Sequence, residues 1–239
     1  MEKKKLVEIK RGEEGHGLLI EHDGYISVDC GNNKQLFESF RNLNENSEKP
    51  FHCPNPFIVD AVFQKFGIEN ANGRIYPEAI LKREVEKYQI KIQERRAIGE
   101  CNHPSESVID LSRVAINIIE LHWEGHTLVG KMEILVSEGF RRNGIISCQG
   151  DQVAHLLLSG IKIGVSSRGL GTVTNKMGVL YVGEDFEIVC WDVVSDPSTP
   201  NAWVSDSYEN LKQYVETKEY KNKSQLLEKL ENFNDWLNE

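Results

Sequence analysis

The sequence predicts an α+β fold in which mostly antiparallel strands outnumber the helices. Residues 114–135 and 172–194 each have the alternating pattern of a β-hairpin, with a glycine-containing turn inside the stretch. Inside the chain, helical periodicity is confined to residues 77–94 and 150–160. At 239 residues the chain is long enough for one large domain with appendages. We therefore expect a single β-rich domain with terminal extensions.

Composition and charge indicate a soluble protein of a reducing compartment. No apolar run approaches the roughly 20 residues of a membrane span, and no signal-peptide core follows the basic N-terminus. Five cysteines, an odd number without CxxC spacing, argue against a disulfide framework. The net charge of −9 disfavours nonspecific binding to nucleic acid. We expect a cytosolic protein with no membrane or nucleic-acid partner.

Three regions are predicted along the chain: a peripheral N-terminal arm at residues 1–56, a compact domain at 57–204 and a C-terminal tail at 205–239. The arm is polar, and its short apolar clusters predict strands at residues 18–20 and 25–28. The tail is acidic and amphipathic, with four apolar residues on one helical face. They are Leu226, Leu230, Phe233 and Leu237. This stripe predicts either core packing or docking on a partner.

The compact domain is expected to begin with a strand and a long helix. The strand covers residues 57–63, after the prolines at 54 and 56. A turn-rich loop then ends at Pro77, a residue suited to the first turn of a helix. The helix should run from Pro77 to about residue 94, with an apolar stripe and charged remaining faces. The stripe consists of Ile80, Leu81, Val85 and Tyr88.

The rest of the domain is expected to consist mainly of strands. Alternating apolar residues predict the strands, and clusters of Gly, Asn and Pro predict the turns between them. In chain order the elements are an extended segment at 97–104, the hairpin at 114–135, the helix at 150–160, a strand at 161–165, a turn at 166–171, and the second hairpin, whose turn lies near 175–178 and whose last strand covers 186–194.

A candidate nucleophile lies where the strand at 161–165 meets the predicted turn. Ser166 and Ser167 are followed there by Arg168 and Gly169. A strand that ends in a glycine-permissive turn can present a hydroxyl beside free backbone N–H groups. Because Ser and Gly are also ordinary turn residues, this pattern predicts catalysis only together with a partner base.

His103 is the best candidate base among the seven histidines. Asn102 and Pro104 flank it, and the proline pushes His103 towards an extended conformation. Gly99, earlier in the same segment, permits a close approach to neighbouring backbone. A histidine held in this way suits a positioned base better than one in a mobile loop.

Two other site chemistries are less favoured by the spacing. Cys101, His103, His122 and His126 are zinc-type ligands, and the last two have a spacing used in helical zinc sites. The residues between them predict a hairpin turn, however, which would splay the two rings apart. Cys101 could instead be a thiol nucleophile beside His103, but side chains two apart on an extended chain need a sharp bend to meet.

Four short motifs follow one another along the compact domain: Asn72-Gly-Arg-Ile-Tyr-Pro77, Gly99-Glu-Cys-Asn-His-Pro104, Asp110-Leu-Ser-Arg-Val114 and Gly164-Val-Ser-Ser-Arg-Gly-Leu-Gly171. In this order they resemble the prohead core serine proteases of tailed bacteriophages. Those enzymes are distantly similar in fold to the herpesvirus capsid maturation proteases, the assemblins. The resemblance covers roughly residues 57–204. It implies an assemblin-like β-barrel core surrounded by helices.

The resemblance also implies roles for individual residues. His103 becomes the general base and Ser166, the first serine of the pair, becomes the nucleophile. Strand alternation selects the same serine, because Ser167 continues an apolar face while Ser166 lies on the open one. The backbone N–H groups of Arg168 and Gly169 are then the expected oxyanion donors, with the Arg168 side chain adding positive charge.

The third catalytic group is expected to be an acid. The herpesvirus relatives use a second histidine late in the chain, but no histidine follows Ser166 here. Asp192 is our choice, since it lies on a late strand with apolar neighbours, where a carboxylate needs a charged partner. An alternative is that Asp192 pairs with a structural arginine such as Arg113. Glu100 and Asp110 are the other candidates for the acid.

The function implied by the resemblance is that of a serine endopeptidase inside the viral procapsid, in the host cytoplasm. Such an enzyme cleaves scaffold core and capsid precursor proteins after apolar-x-Glu, needs no metal or nucleotide cofactor, and can act as a homo-oligomer. Apolar-x-Glu tripeptides in both terminal regions predict self-cleavage; they are Leu6-Val-Glu8, Leu19-Ile-Glu21, Leu36-Phe-Glu38, Leu43-Asn-Glu45, Leu226-Leu-Glu228 and Leu237-Asn-Glu239. The alternative is a catalytically inactive scaffold or capsid-assembly protein of the same fold, docked through its tail.

Overall fold

Strands dominate the part of the chain that the computed structural model describes, residues 7–26, 53–104, 106–161 and 163–195. The strands are β1 Gly15–Ile26, β2 Phe57–Lys65, β3 Arg74–Ile75, β4 Ile98–Glu100, β5 Val114–Glu124, β6 Thr127–Ile134, β7 Ile163–Lys176, β8 Val179–Val182 and β9 Glu187–Val194. The helices are α1 Glu78–Gln93, α2 Glu138–Asn143 and α3 Gln149–Leu158, with a 3₁₀ turn at Leu111–Arg113. The predicted α+β class is confirmed.

The strands pair as two sheets. The first has the order β1-β7-β8-β3, and β9 also pairs with β7. The second has the order β2-β6-β5-β4. All pairings are antiparallel except β3 with β8. An isolated bridge between Cys101 and Val193 links the two sheets. Within the described residues the strands therefore form two linked sheets, and the closed barrel that we expected is not seen.

The hydrophobic core draws side chains from both sheets and from α1 and α3. The predicted stripe of α1 is buried, and Pro77 occupies the N-cap of that helix. Trp191 of β9 lies at the centre, with its ring 4.8 Å from Tyr88 and 5.8 Å from Phe63, both in edge contacts. Burying each large apolar side chain contributes roughly 1.5–3 kcal/mol. Core packing thus fixes β9, which carries Asp192, against α1 and β2.

Most predicted elements are confirmed, but one prediction at the centre of the fold was wrong. The turn expected at residues 166–171 does not exist, because β7 continues without a break from Ile163 to Lys176. The glycines there serve close packing instead of a turn. A Cβ on Gly169 would lie 2.4 Å from the Phe186 ring and 2.7 Å from the Glu187 carbonyl oxygen. The six-residue helix α2 was not predicted, since so short a segment carries too few periodic positions.

The described part of the N-terminal arm belongs to the first sheet. β1 pairs with β7 from Gly15 to Ile26, with one register shift, and Leu18 and Leu19 are fully buried. The predicted strand at residues 18–20 lies within β1; the strand predicted at 25–28 is only partly described, and the predicted tail helix lies outside the described residues. No helix among the described residues is long and apolar enough to span a bilayer.

A buried ion pair ties β1 to β3, the short strand that precedes α1. Arg74 donates to Glu21 over 2.6 Å, and both side chains are almost fully inaccessible. The Glu21 carboxylate also accepts hydrogen bonds from Tyr76 at 2.8 Å, Asn70 at 2.7 Å and Asn72 at 2.6 Å. The motif at residues 72–77 therefore holds the strand next to β7 in place.

We expect Arg74→Met to lower the free energy of unfolding by about 3–5 kcal/mol, because it leaves the Glu21 carboxylate buried without its cation. Denaturant unfolding followed by tryptophan fluorescence measures this loss. The double variant Glu21→Gln/Arg74→Met removes both charges and should recover most of the stability. A double variant no more stable than the single one would show that the ion pair does not account for the effect.

Candidate active site

Strand β7 places Ser166 and Ser167 on opposite faces of the first sheet. Side chains alternate along a strand, so Ser166 shares a face with Arg168, and Ser167 shares the other with Val165. Ser166 lies directly opposite Asp192 of β9 in the antiparallel register. Ser166 is fully buried, so the open face that we expected around it is covered in this structure.

The segment after β4 carries His103 onto the face occupied by Ser166. Asn102 adopts a left-handed conformation, with φ of 66°, and its backbone N–H donates to the Val193 carbonyl oxygen at 2.8 Å. Gly99 allows β4 to pack this closely on β9, because a Cβ there would lie 2.0 Å from the Trp191 carbonyl oxygen. Backbone contacts to β9 thus fix the position of His103.

Ser166, His103 and Asp192 form a continuous hydrogen-bonded chain. Nδ1 of His103 lies 2.8 Å from Oδ2 of Asp192, and Nε2 of His103 contacts Oγ of Ser166. The His103 side chain is 5% exposed and that of Asp192 is inaccessible. With Nδ1 donating to the carboxylate, Nε2 is left to accept the serine proton. This arrangement can transfer a proton from a hydroxyl to an imidazole that a carboxylate orients.

A buried polar cluster surrounds the Asp192 carboxylate, and Arg168 in this cluster lies beside the same carboxylate oxygen that His103 contacts. Its Oδ1 accepts from the Glu100 backbone N–H at 2.9 Å and from the Cys190 thiol at 3.2 Å. Nε of Arg168 lies 3.0 Å from Oδ2, and Nη2 of Arg168 lies 2.6 Å from Oε2 of Glu100. Nη1 of Arg168 donates to the Glu106 carbonyl oxygen at 2.6 Å. The guanidinium is therefore enclosed among groups that hold Asp192.

Two groups of this cluster have shifted pKa values. Burial, reinforced by the charge of Asp192, raises the pKa of the Cys190 thiol well above its usual value, so Cys190 is a neutral donor. Burial alone would lower the pKa of Arg168, but Cys190, Asp192 and Glu100 together raise it. Arg168 therefore keeps its positive charge despite complete burial.

The structure separates the candidates for the acid by their contacts. Asp192 contacts His103 and also pairs with Arg168. Arg113, the arginine named in the alternative, instead donates to the Cys101 carbonyl oxygen at 3.0 Å. Glu100 lies behind Asp192 and faces Arg168. Asp110 caps the 3₁₀ turn, where hydrogen bonds from Ser112 lower its pKa.

The contacts do not support a zinc site at His122 and His126, nor Cys101 as a thiol nucleophile. His122 lies beside Glu120 and Glu124, whereas the His126 ring packs 4.9 Å from the ring of Phe66. Within the described ranges, no group of three or more potential ligands is arranged to hold a metal ion. Burial raises the pKa of the Cys101 thiol, which weakens it as a nucleophile.

Comparison with known proteins identifies the family of this chain. The family model described as prohead core protein serine protease matches residues 18–211. The chain belongs to this family. The prohead core protein protease of Enterobacteria phage T4 is 30% identical over 174 residues, which cover 72% of this chain and 78% of the phage T4 protein. The solved structure of the bacteriophage T4 capsid assembly protease is 25% identical and has a TM-score of 0.57. The match covers 74% of this chain and 96% of the phage T4 chain in that structure. The predicted family is confirmed.

Sequence reasoning missed two contacts in this prohead protease. The Arg168 side chain, which we expected to add positive charge at the oxyanion, instead lies buried between Glu100 and Asp192, and the hydrogen bond from Cys190 to Asp192 was not predicted. The period-2 pattern contained a signal for both, since Arg168 follows Ser166 by two positions and Cys190 precedes Asp192 by two. Their meeting depends on the β7–β9 register, which local sequence does not specify.

Proposed function

We propose that this prohead protease is a serine endopeptidase in which Ser166 is the nucleophile, His103 the general base and Asp192 the group that orients the base. The observation that carries the proposal is the hydrogen-bonded chain from Ser166 through His103 to Asp192. In such a triad the base takes the hydroxyl proton as the oxygen attacks the peptide carbonyl. The base later returns the proton to the leaving amine, and water hydrolyses the acyl-enzyme.

The oxyanion donors in this proposal are the backbone N–H groups of Arg168 and Gly169. They are two and three residues after Ser166 and lie within β7, opposite residues of β1 and β9, not in the free turn that we expected. The register shift between β7 and β9 falls at this point, and its additional residue, Val189, is on β9. This part of the proposal therefore follows the family resemblance, and it requires the two N–H groups to become available when the site opens.

A peptide can reach Ser166 only after part of the surrounding chain moves. Ser166 is fully buried and the His103 side chain is 5% exposed, so the site is closed in this structure. In the proposed function, opening of this site precedes catalysis.

The proposed substrates are scaffold core and capsid precursor proteins, cleaved after apolar-x-Glu. This part of the proposal follows the family and the phage T4 relatives, one named as a prohead core protein protease and the other as a capsid assembly protease. The proposed location is inside the procapsid, in the host cytoplasm, where the enzyme acts alone or as a homo-oligomer. No metal or nucleotide takes part in the proposed mechanism.

Self-cleavage is also proposed, and the structure distinguishes two of its candidate sites. Val7 and Glu8 are exposed, whereas Glu21 is fully buried against Arg74 within β1. Cleavage after Glu21 would also cut β1 in two. Of these two sites the one after Glu8 is therefore favoured, and its cleavage requires Ile9, which is buried and hydrogen-bonded to Leu18, to leave β1 first.

We expect the purified protease to cleave its own chain after Glu8, and not after Glu21, during prolonged incubation. The same sample should cut a synthetic Leu-x-Glu peptide and leave its Leu-x-Gln counterpart intact. Mass spectrometry of both products measures this, because each cut defines a new terminus.

The matched control is Glu8→Gln, which should keep peptide cleavage while blocking the cut at this position. Intact peptide and intact termini, in samples whose fold is verified by circular dichroism, would contradict the endopeptidase proposal. That result would favour the catalytically inactive assembly protein.

A further inference from the structure

Three charged side chains lie behind His103 with no exposure to solvent: Glu100 on β4, Arg168 on β7 and Asp192 on β9. Nη2 of Arg168 lies 2.6 Å from Oε2 of Glu100 and 3.3 Å from Oδ1 of Asp192, while Nε lies 3.0 Å from Oδ2 of Asp192. Two carboxylates therefore share one guanidinium. With ordinary formal charges the cluster carries one excess negative charge.

The excess charge matters because water does not screen charges at this depth. If Arg168 faced Asp192 alone, its positive charge would offset the carboxylate that contacts His103. A positive imidazole would then form beside a neutral pair. Nη2 of Arg168 lies closer to Glu100, at 2.6 Å, than to Asp192, at 3.3 Å. The Glu100 carboxylate therefore offsets the positive charge of Arg168.

We propose that Glu100 is a positioning residue that offsets the charge of Arg168 and so leaves the negative charge of Asp192 to stabilise the protonated form of His103. This inference rests on the proposed function and deepens it. As Ser166 attacks, its O–H bond breaks and the proton passes to Nε2 of His103. Oγ bonds to the carbonyl carbon, and the electron pair of the C=O bond moves to the carbonyl oxygen. His103 gains a positive charge in that step, and the cluster with His103 changes from net −1 to neutral.

The other titratable and charged groups near this cluster keep their charge state around neutral pH. Burial raises the pKa values of Cys101, Cys190 and Tyr88, so these three groups are neutral. Arg113 is at the end of the 3₁₀ turn. Asp110, whose backbone N–H donates to the Glu100 carboxylate, has a pKa lowered by hydrogen bonds from Ser112 and stays ionised. None of them changes charge in the variants described next.

We expect Glu100→Gln to move the acid-side midpoint of the kcat/KM profile to lower pH by about one unit. The reason is that the variant leaves Arg168 and Asp192 as a neutral pair, which disfavours a positive charge on His103. The imidazole then stays neutral at lower pH but is a weaker base, so the plateau of kcat/KM should fall about tenfold. A purely structural role for Glu100 would lower the plateau without moving the midpoint.

Arg168→Gln provides a control of opposite sign. It leaves two carboxylates beside His103, so the midpoint should move to higher pH. The double variant Glu100→Gln/Arg168→Gln restores a single negative charge and should return the midpoint close to that of the wild type. Movement in the same direction in both single variants would overturn the proposal.

A second readout separates this inference from the proposed function. In the Ser166→Ala background, proton NMR follows the His103 Cε1–H resonance with pH, and adding Glu100→Gln should lower its midpoint by a similar amount. This titration needs no turnover and no Arg168 variant, whose two unpaired carboxylates could prevent folding. An unchanged NMR midpoint overturns the role of Glu100, whereas absence of Ser166-dependent cleavage overturns only the endopeptidase proposal.

Discussion

Ser166→Ala is expected to abolish peptide cleavage, with a loss in kcat on the order of 10⁶-fold. The substitution removes the only hydroxyl that contacts Nε2 of His103 among the described residues. Without it no acyl-enzyme can form, and only binding and oxyanion contacts remain to accelerate hydrolysis. Cleavage of a Leu-x-Glu peptide, followed by mass spectrometry, measures the loss.

Ser167→Ala is the matched control for this prediction. Ser167 lies on the opposite face of β7, and its Oγ has no hydrogen-bond partner within the described part of the chain. Removing a buried unpaired hydroxyl should leave stability unchanged or slightly higher, and activity should stay within a few-fold of the wild type. Equal activity of wild type and Ser166→Ala would contradict the proposed nucleophile, and a loss confined to Ser167→Ala would assign the role to that residue.

Asp192→Asn is expected to lower kcat by about 10⁴-fold, as when an amide replaces the acid of a serine-protease triad. In the proposed triad the carboxylate accepts a hydrogen bond from Nδ1–H of His103, 2.8 Å away, which leaves Nε2 free to act as a base. An amide that donates to Nδ1 instead would select the opposite tautomer. The fold should persist, because Arg168 and Glu100 remain as a balanced pair 2.6 Å apart.

The control for this prediction is Asp110→Asn. Asp110 was a sequence candidate for the acid, but the structure places it at the cap of the 3₁₀ turn, where it accepts from Ser112. We expect the activity of the Asp110→Asn variant to remain close to that of the wild type, and the Asp192→Asn variant to be strongly impaired in the same peptide assay. The reverse ranking would assign the acid to Asp110 and contradict the proposed triad.

Local pattern was sufficient for most secondary structure of this protease. The stripe of α1 and both hairpins depend on contacts only a few residues apart, so apolar periodicity and turn residues predict them. The prediction of a turn at residues 166–171 was wrong because it used the same local information, which is insufficient there. Glycine and serine fit a turn and a tightly packed strand equally well, and the ring of Phe186, which decides between them, lies far along the chain.

The sequence by itself determined the family, through four ordered motifs, and the choice of Ser166, His103 and Asp192 as candidates. Only the tertiary structure decided that these residues meet, and that Arg168 and Glu100 lie behind them. His103 lies 63 positions before Ser166 and 89 before Asp192, so their contacts depend on the register of β7 with β9 and on the packing of β4 against β9. Both depend on core packing between distant segments, which no local pattern encodes.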